Sequence, residues 1–274
     1  MRRMQRIFYI RWRIAVAALS ILIAPSLVLA AEIAVTLPPL AGLVKMLDAE
    51  SEVMCLLPAG ADPHRFQMQP RTIERLKRSK LLIRTSFDDG GWPLPADHEN
   101  VLDIWPDKDH GWVSPKEVRL ILPRIAKTLI KLEPEQRQKI NSNLGKAIAL
   151  THDIEKQWQQ ALAPAKAAGI IMQHPSWRRL MNDMQIPILN VLESGHHGHE
   201  HGPHALDDSL HQIDEHPNAW LISDAGHNNR ALAWLQQHSE QAVHHVTLDA
   251  LSDCGTSWDQ MMLQNLQQIS GAKH

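Results

Sequence analysis

A long helical segment, EPEQRQKINSNLGKAIALTHDIEKQWQQAL at residues 133–162, decides the fold class. It contains about thirty residues with few helix breakers, which at a rise of 1.5 Å per residue predicts a helix of roughly 40 Å. A helix of this length exceeds the width of one small domain, so it is a candidate spine between two lobes. A plain helical hairpin is the alternative that the pattern leaves open.

Strand and helix patterns alternate on both sides of this segment. Three apolar strands with their helices occupy residues 32–85, and four strand patterns alternate with helices from residue 168 onwards. Such alternation predicts parallel βαβ units. We therefore expect an α/β protein with two parallel-sheet lobes, a long backbone helix and a cleft between the lobes. The predicted boundaries are 31–113 for the N-terminal lobe, 114–164 for the helical link and 165–274 for the C-terminal lobe.

The helix patterns also predict how two helices begin. Thr72 is the expected N-cap of a short helix at 72–80, because a threonine oxygen can accept a hydrogen bond from the first turn. Ser114 is the expected cap of a helix that starts SPKE, with Pro in the first turn and Glu three residues on. Pro123 is expected to bend this second helix.

The first thirty residues have the three parts of a secretory signal peptide. Five arginines precede a short apolar run, and small residues lead up to Ala30. The apolar run is shorter than the roughly 20 residues of a membrane span, which disfavours the alternative of an uncleaved anchor. We therefore expect residues 1–30 to be removed and the mature protein to be periplasmic.

Loss of the signal peptide makes the chain acidic. The mature chain has 23 basic and 30 acidic residues, a net charge of −7 with His neutral. It has no basic patch of the kind that binds nucleic acid. In an oxidising compartment Cys55 and Cys254 can pair, or they can remain buried thiols, and the sequence leaves both alternatives open.

Three isolated histidines occupy loops beside predicted strands and helices. His64 lies in PAGADPHRF, His110 in DKDHGWVSP and His174 in IIMQHPSW. Ligands of open α/β sheets bind beyond the carboxyl ends of strands, and His64 and His174 hold such positions, one in each lobe. A single loop histidine is usually a surface residue. Together, however, the three predict a metal site that forms where the lobes meet.

The motifs around these histidines resemble a known family. Four segments are similar to successive signatures of the metal-binding subunits of bacterial zinc and manganese ABC importers, the ZnuA/TroA-like group. These segments are PLAGLVKML at 39–47, GADPHRFQMQP at 60–70, HGWVSPKE at 110–117 and MQHPSW at 172–177. Their order and approximate spacing match across the mature chain. The resemblance implies two α/β lobes, a long backbone helix and a metal between the lobes.

The resemblance also implies the ligands, the metal and the partners. His64, His110 and His174 are the implied ligands, and a fourth comes from the last strand-to-helix loop, SDAGHNNRA at 223–231. We favour Asp224 over His227 as this ligand, with water as a third alternative, because Asn228 and Asn229 replace the family's acidic pair. Three imidazoles and one oxygen suit Zn²⁺, ahead of Mn²⁺, Ni²⁺ and Cu²⁺. The implied partners are a membrane permease and its ATPase, and we expect a monomer.

A second group of histidines lies in ESGHHGHEHGPH at residues 193–204. Gly and Pro disfavour regular structure here, and ordering such a loop costs about 1–2 kcal/mol per residue. We expect residues 194–204 to form an accessory metal-binding loop of low affinity. Two alternatives are a metal buffer that acts mainly through this loop and a polar loop without a metal role. The histidines concerned are His196, His197, His199, His201 and His204.

Enzyme function is disfavoured by the motifs. HENVL at 98–102 and HEHGP at 199–203 both lack the second histidine of the His-Glu-x-x-His zinc-protease motif, and no Gly-x-Ser-x-Gly elbow occurs. A zinc-dependent hydrolase is therefore the weakest of the three functions considered, after a receptor and a buffer.

Overall fold

The computed structural model describes residues 33–194, 199–200 and 203–271. The predicted signal peptide at 1–30 lies outside the described residues, as do three histidines of the second group, His196, His197 and His201. Within the described residues, no helix combines the length and the apolar character needed to span a bilayer.

The N-terminal lobe contains a four-stranded parallel sheet with the strand order β2-β1-β3-β4. Its β1, β2 and β3 strands coincide with predicted strands, whereas β4 has no counterpart in the sequence analysis. β4 has three residues, of which the two end residues are exposed, so it lacks an apolar run. The elements are β1 (Ile33–Val35), α1 (Pro38–Leu47), β2 (Val53–Cys55), α2 (Pro70–Leu76), β3 (Leu81–Arg84) and β4 (Val101–Asp103).

The predicted N-cap of the α2 helix is wrong. This helix starts at Pro70 with Gln69 in the N-cap position, and Thr72 lies in its first turn. Proline is favoured at the first helical position because its missing N–H has no intrahelical partner there. That preference moves the start of the helix two residues upstream of the one that the threonine indicated.

Two long helices form the link. A 3₁₀ turn (Gly111–Val113) leads into α3 (Pro115–Leu132), and a second 3₁₀ turn (Pro134–Gln136) leads into α4 (Arg137–Ala161). Ser114 caps α3 as predicted, since its hydroxyl accepts a 3.1 Å hydrogen bond from the Glu117 N–H, and the helix continues through Pro123. The α4 helix has 25 residues, which corresponds to about 38 Å. It packs on α3 and on α1, so the link is both a spine and a helical hairpin.

The C-terminal lobe repeats the parallel arrangement with the order β10-β9-β5-β6. A small antiparallel pair, β7 with β8, lies in the segment that the sequence predicted to be irregular. The helices are α5 (Ala165–Ala168), a 3₁₀ turn (Pro175–Trp177), α6 (Arg178–Asp183), α7 (Pro203–Glu215), α8 (Arg230–His238) and α9 (Trp258–Gly271). The strands are β5 (Ile170–Met172), β6 (Ile188–Val191), β7 (Glu193–Ser194), β8 (His199–Glu200), β9 (Trp220–Asp224) and β10 (His244–Leu248).

The largest hydrophobic cluster spans both lobes, and each lobe has a smaller cluster of its own. A continuous cluster of buried side chains extends from Ile33 in β1 through Trp158 in α4 to Ile269 in α9. The α9 helix packs against both α1 and α4. The close approach requires a glycine at position 42, because a Cβ atom there would lie 2.7 Å from the Trp258 backbone nitrogen.

The segment before α9 is fastened to the N-terminal lobe. Cys55, at the end of β2, forms a disulfide with Cys254. The Lys45 ammonium group donates a 3.0 Å hydrogen bond to the Gly255 carbonyl oxygen, and the Trp112 indole donates one of 2.7 Å to that of Ala250. These bonds hold one wall of the interlobe cleft in place.

Candidate metal centre

The carboxyl ends of the parallel strands of both sheets meet at the interlobe cleft. His64 follows β2, His174 follows β5, and His227 follows β9, while His110 lies at the entry to α3. All four side chains line one pocket. The structure therefore places the three histidines that we predicted as ligands in the same cavity, together with both candidates for the fourth position, Asp224 and His227.

His174 lies at the centre of this group. Its ring centroid is 5.2 Å from that of His64, 5.8 Å from that of His110 and 4.8 Å from that of His227. Imidazoles that share a tetrahedral ion at a metal–nitrogen distance near 2.0–2.1 Å have centroids about 5 Å apart. The spacing of the rings is therefore suited to a single ion.

Local structure explains where the N-terminal histidines lie. The His64 N–H donates a 2.9 Å hydrogen bond to the Asp62 side chain, which forms a tight turn in the loop. His110 has a φ of 46°, in the left-handed region, and its N–H donates a 3.1 Å hydrogen bond to Asp88 Oδ1. At Gly111 the backbone lies against the Trp105 ring, since a Cβ atom would be 2.3 Å from a ring carbon.

Carboxylates surround His110. Its Nδ1 atom is 3.6 Å from Asp88 Oδ1 and 3.9 Å from Asp109 Oδ2. Burial raises the pKa of Asp88, although His110 opposes the rise. The pKa of Asp109 is lowered by His110 and by Arg179, against the effect of burial. Arg179 belongs to the C-terminal lobe and is 2.9 Å from the Asp109 carboxylate, so this ion pair ties the lobes together beside His110.

His174 is almost fully buried, with 2% of its surface exposed. Its Nδ1 atom is 2.8 Å from Ser176 Oγ, which lies in the 3₁₀ turn that follows. Pro175 starts this turn directly after the histidine. The turn therefore holds the imidazole in one orientation at the end of β5.

Asp224 is the last residue of β9 and is 2% exposed. Among the described residues, neither of its carboxylate oxygens has a hydrogen-bond partner. Burial raises the pKa of Asp224 to about 7, against opposing effects of Ser176 and His110. A buried carboxylate without a partner is costly in its ionised form, and a nearby cation removes that cost.

The loop after Asp224 is shaped by an asparagine. The Asn229 amide donates hydrogen bonds to the backbone oxygens of Asp224, at 3.0 Å, and of His227, at 3.2 Å. It also accepts one from the Asp224 N–H. Asn229 therefore orders this loop, and both Asp224 and His227 line the pocket.

The pocket contains side chains of the types that bind metals, but their donor atoms do not converge on a single point. In the part of the chain that the structure describes, no group of three or more His, Cys, Asp or Glu side chains could hold an ion as placed. A single ion would therefore require some of these side chains, other than His174, to rotate towards it.

Three polar pocket residues, Asp88, Ser176 and Asp249, were missed in the sequence analysis. Asp88 lies beyond the carboxyl end of β3, so the strand-end rule that indicated His64 and His174 could have found it. Ser176 carries no comparable signal, because its role depends on the turn that points it back towards His174.

Two lobes, a shared core and a histidine-lined cleft define the class of metal-binding solute-binding proteins. The family model described as zinc-uptake complex component A, periplasmic (ZnuA), matches residues 33–272. The chain belongs to this family. Its members are periplasmic metal-binding receptors of ABC importers and not enzymes.

Solved structures share this fold, and a curated relative matches part of the chain. A crystal structure of ZnuA is 20% identical, with a TM-score of 0.76, and the match covers 89% of this chain and all of that one. FpvC of Pseudomonas aeruginosa, solved with Ni²⁺, is 19% identical, with a TM-score of 0.70 over 88% of this chain and 95% of its own. At these identities the similarity shows the fold alone. The curated relative, "Putative metal-binding protein" of Thermotoga maritima, is 24% identical over 163 residues, which is 56% of this chain and 60% of the relative.

Proposed function

We propose that this protein is a high-affinity periplasmic zinc receptor that delivers Zn²⁺ to an ABC importer. The ligands are His64, His110 and His174, with Asp224 as the fourth and His227 as its alternative. The observation that carries the proposal is the pocket itself, in which imidazoles from both lobes line the same cavity as a buried carboxylate that has no hydrogen-bond partner among the described residues.

The donor set favours zinc over the other metals. Zn²⁺ takes four ligands, and three nitrogens with one oxygen satisfy it, whereas Mn²⁺ prefers sites richer in oxygen. Ni²⁺ and Cu²⁺ also accept imidazole. FpvC was solved with Ni²⁺ and with Mn²⁺, so these two ions are the competitors to test first.

Capture depends on the protonation of the ligands. The imidazoles bind a cation in their neutral form, and Asp224 binds it as a carboxylate. Binding therefore competes with protons for these ligands, and the affinity for the metal falls as the pH is lowered. Apolar residues, which include Leu37, Trp112 and Ala250, form part of the pocket wall and limit the access of water to the ion.

The remaining parts of the chain fit the same function. Residues 1–30 serve as the signal peptide, 31–113 and 165–274 as the lobes, and 114–164 as the link. The loaded receptor, a monomer, docks on a permease that an ATPase drives. The histidine-rich segment at 194–204 raises the local metal concentration as an accessory trap.

A metal buffer based on the histidine-rich segment is the second candidate, because five histidines occur within residues 193–204. Zinc titration against a competing chelator separates the two functions. We expect the triple variant His64→Ala/His110→Ala/His174→Ala to lose the tight site. Deletion of 194–204 should keep that site and remove weaker ones.

His98→Ala is the matched control, since His98 bonds to Ser79 outside the pocket. It should bind zinc like the unmodified protein. The receptor function would be overturned if the triple variant still binds zinc tightly. It would also be overturned if deletion of the loop abolishes tight binding. Parallel titrations with Mn²⁺ and Ni²⁺ test the choice of metal.

A further inference from the structure

One hydrogen bond of the pocket involves a residue to which the proposed function assigns no role. Ser176 Oγ lies 2.8 Å from His174 Nδ1, and Ser176 is 4% exposed. Water therefore has little access to either group, and the hydroxyl is a hydrogen-bond partner of this ring nitrogen.

The serine is held on a rigid part of the molecule. It lies in the 3₁₀ turn Pro175–Trp177. The next residue, Trp177, is fully buried and stacks on Trp158 of α4, with ring centroids 5.6 Å apart. The turn is thus packed against the long helix of the link, which limits movement of the hydroxyl relative to the imidazole.

The direction of this hydrogen bond decides whether the Nε2 atom of His174 has a lone pair available for a cation. A neutral imidazole carries its hydrogen on one nitrogen and a lone pair on the other. If Nδ1 donates to Ser176, the lone pair is on Nε2, which can bind a cation. If the serine donates to Nδ1, Nε2 carries a hydrogen and cannot bind one.

We infer that Ser176 is a positioning residue, which accepts the Nδ1 hydrogen of His174 and so presents the Nε2 lone pair to the metal. This inference rests on the zinc-receptor function proposed above. Metal-bound histidines commonly have their second nitrogen held by an oxygen acceptor, and loss of that acceptor typically lowers metal affinity about 10- to 100-fold. Burial raises the pKa of Asp224 on the same pocket wall, and the Ser176 hydroxyl opposes that rise, although the two groups form no hydrogen bond of normal geometry in the structure.

Three variants test this role in the full mature protein, with Zn²⁺ alone as the probe. Ser176→Ala should weaken zinc binding by about tenfold or more, and Ser176→Thr, which keeps a hydroxyl, should restore it. Ser209→Ala is the matched control. This serine is also fully buried and hydrogen-bonded, but its partners are Ala205 and Asn190. It should change stability without changing zinc affinity.

Nitrogen-15 NMR of the histidine rings reports directly on which nitrogen carries the hydrogen. This signal would not change in Ser176→Ala if Ser176 only stabilised the fold. In the zinc-loaded protein, His174 should show a protonated Nδ1 and a metal-bound Nε2. In Ser176→Ala the Nδ1 signal should change while the thermal melting of the metal-free protein stays close to that of the parent.

The outcomes separate this inference from the proposed function. The role of Ser176 would be overturned if zinc is bound through Nδ1 of His174. It would also be overturned if Ser176→Ala has the same zinc affinity and the same ring signals as the parent protein. In both cases the unmodified protein would still bind zinc tightly. Absence of tight binding in the unmodified protein would instead overturn the receptor function on which the inference rests.

Discussion

Among single residues, Asp224 has the clearest expected effect on the stability of the metal-free protein. Its carboxyl is buried without a hydrogen-bond partner among the described residues, and burial raises its pKa to about 7 from an ordinary value of 3.8. The ionised form therefore destabilises the metal-free fold. Because the pKa is raised in the folded state, the stability of the metal-free protein falls as the pH rises from about 4 through 7.

Asp224→Asn should remove this loss of stability. In the metal-free protein we expect the variant to be more stable at pH 8, by on the order of a few kcal/mol, with a smaller gain at pH 5. Urea unfolding in the presence of a chelator measures both values. Asp253→Asn, at an exposed carboxyl of the same lobe, is the control. A gain that is equal at the two pH values would contradict the buried-carboxylate account.

Single site residues were easiest to predict from the sequence when a metal-binding side chain lay directly after a predicted strand. His64 and His174 stood out because each is a metal-binding side chain at a strand end, and the structure places both in the pocket. Ser176 did not, because its contact with His174 depends on a turn geometry without a periodic pattern. The sequence also left Asp224 and His227 as alternatives, and both line the pocket.

At the scale of elements, the contact between α1 and α9 is the most sensitive to substitution. Position 42 has no room for a side chain, because a Cβ atom would lie 2.7 Å from Trp258 N and 3.0 Å from Thr256 O. Backbone atoms cannot rotate away as a flexible side chain can, so the helices would have to separate.

Two glycine-to-alanine substitutions therefore have opposite expected effects. Gly42→Ala should lower the free energy of unfolding by about 1–3 kcal/mol. Gly145→Ala, within α4 and with no neighbour within 4 Å of the new Cβ, should raise it by roughly 0.5–1 kcal/mol, because alanine favours the helix. Urea unfolding of both variants checks this pair. A neutral Gly42→Ala would mean that the two helices are less tightly packed than described.

Helices and buried strands were predicted well because their patterns are long or apolar. The structure confirms the helix cap at Ser114 and the length of the spine. The three-residue β4 strand was missed because its ends are exposed. The short β7–β8 pair was missed because glycine-rich segments carry little strand signal. The start of α2 was misplaced because Pro70 outweighed Thr72.

At the scale of the whole molecule, the lobes are joined by more than the link. They share a core, the Cys55–Cys254 disulfide connects them, and Arg179 pairs with Asp109 across the cleft. The Ser114 hydroxyl also donates a hydrogen bond to Asp183. The two-lobe class could be predicted from alternating patterns, whereas these cross-connections join residues too distant in sequence for any local pattern to reveal.

The central claim is that one zinc ion is held between the lobes by His64, His110 and His174. Crystals grown with Zn²⁺ and measured with X-rays on both sides of the zinc absorption edge test it most directly. We expect one strong anomalous peak in the cleft, about 2.0–2.1 Å from a nitrogen of each of the three imidazoles, with an Asp224 oxygen as the fourth ligand. A strongest peak within residues 194–204, or a cleft without a peak, would contradict the account.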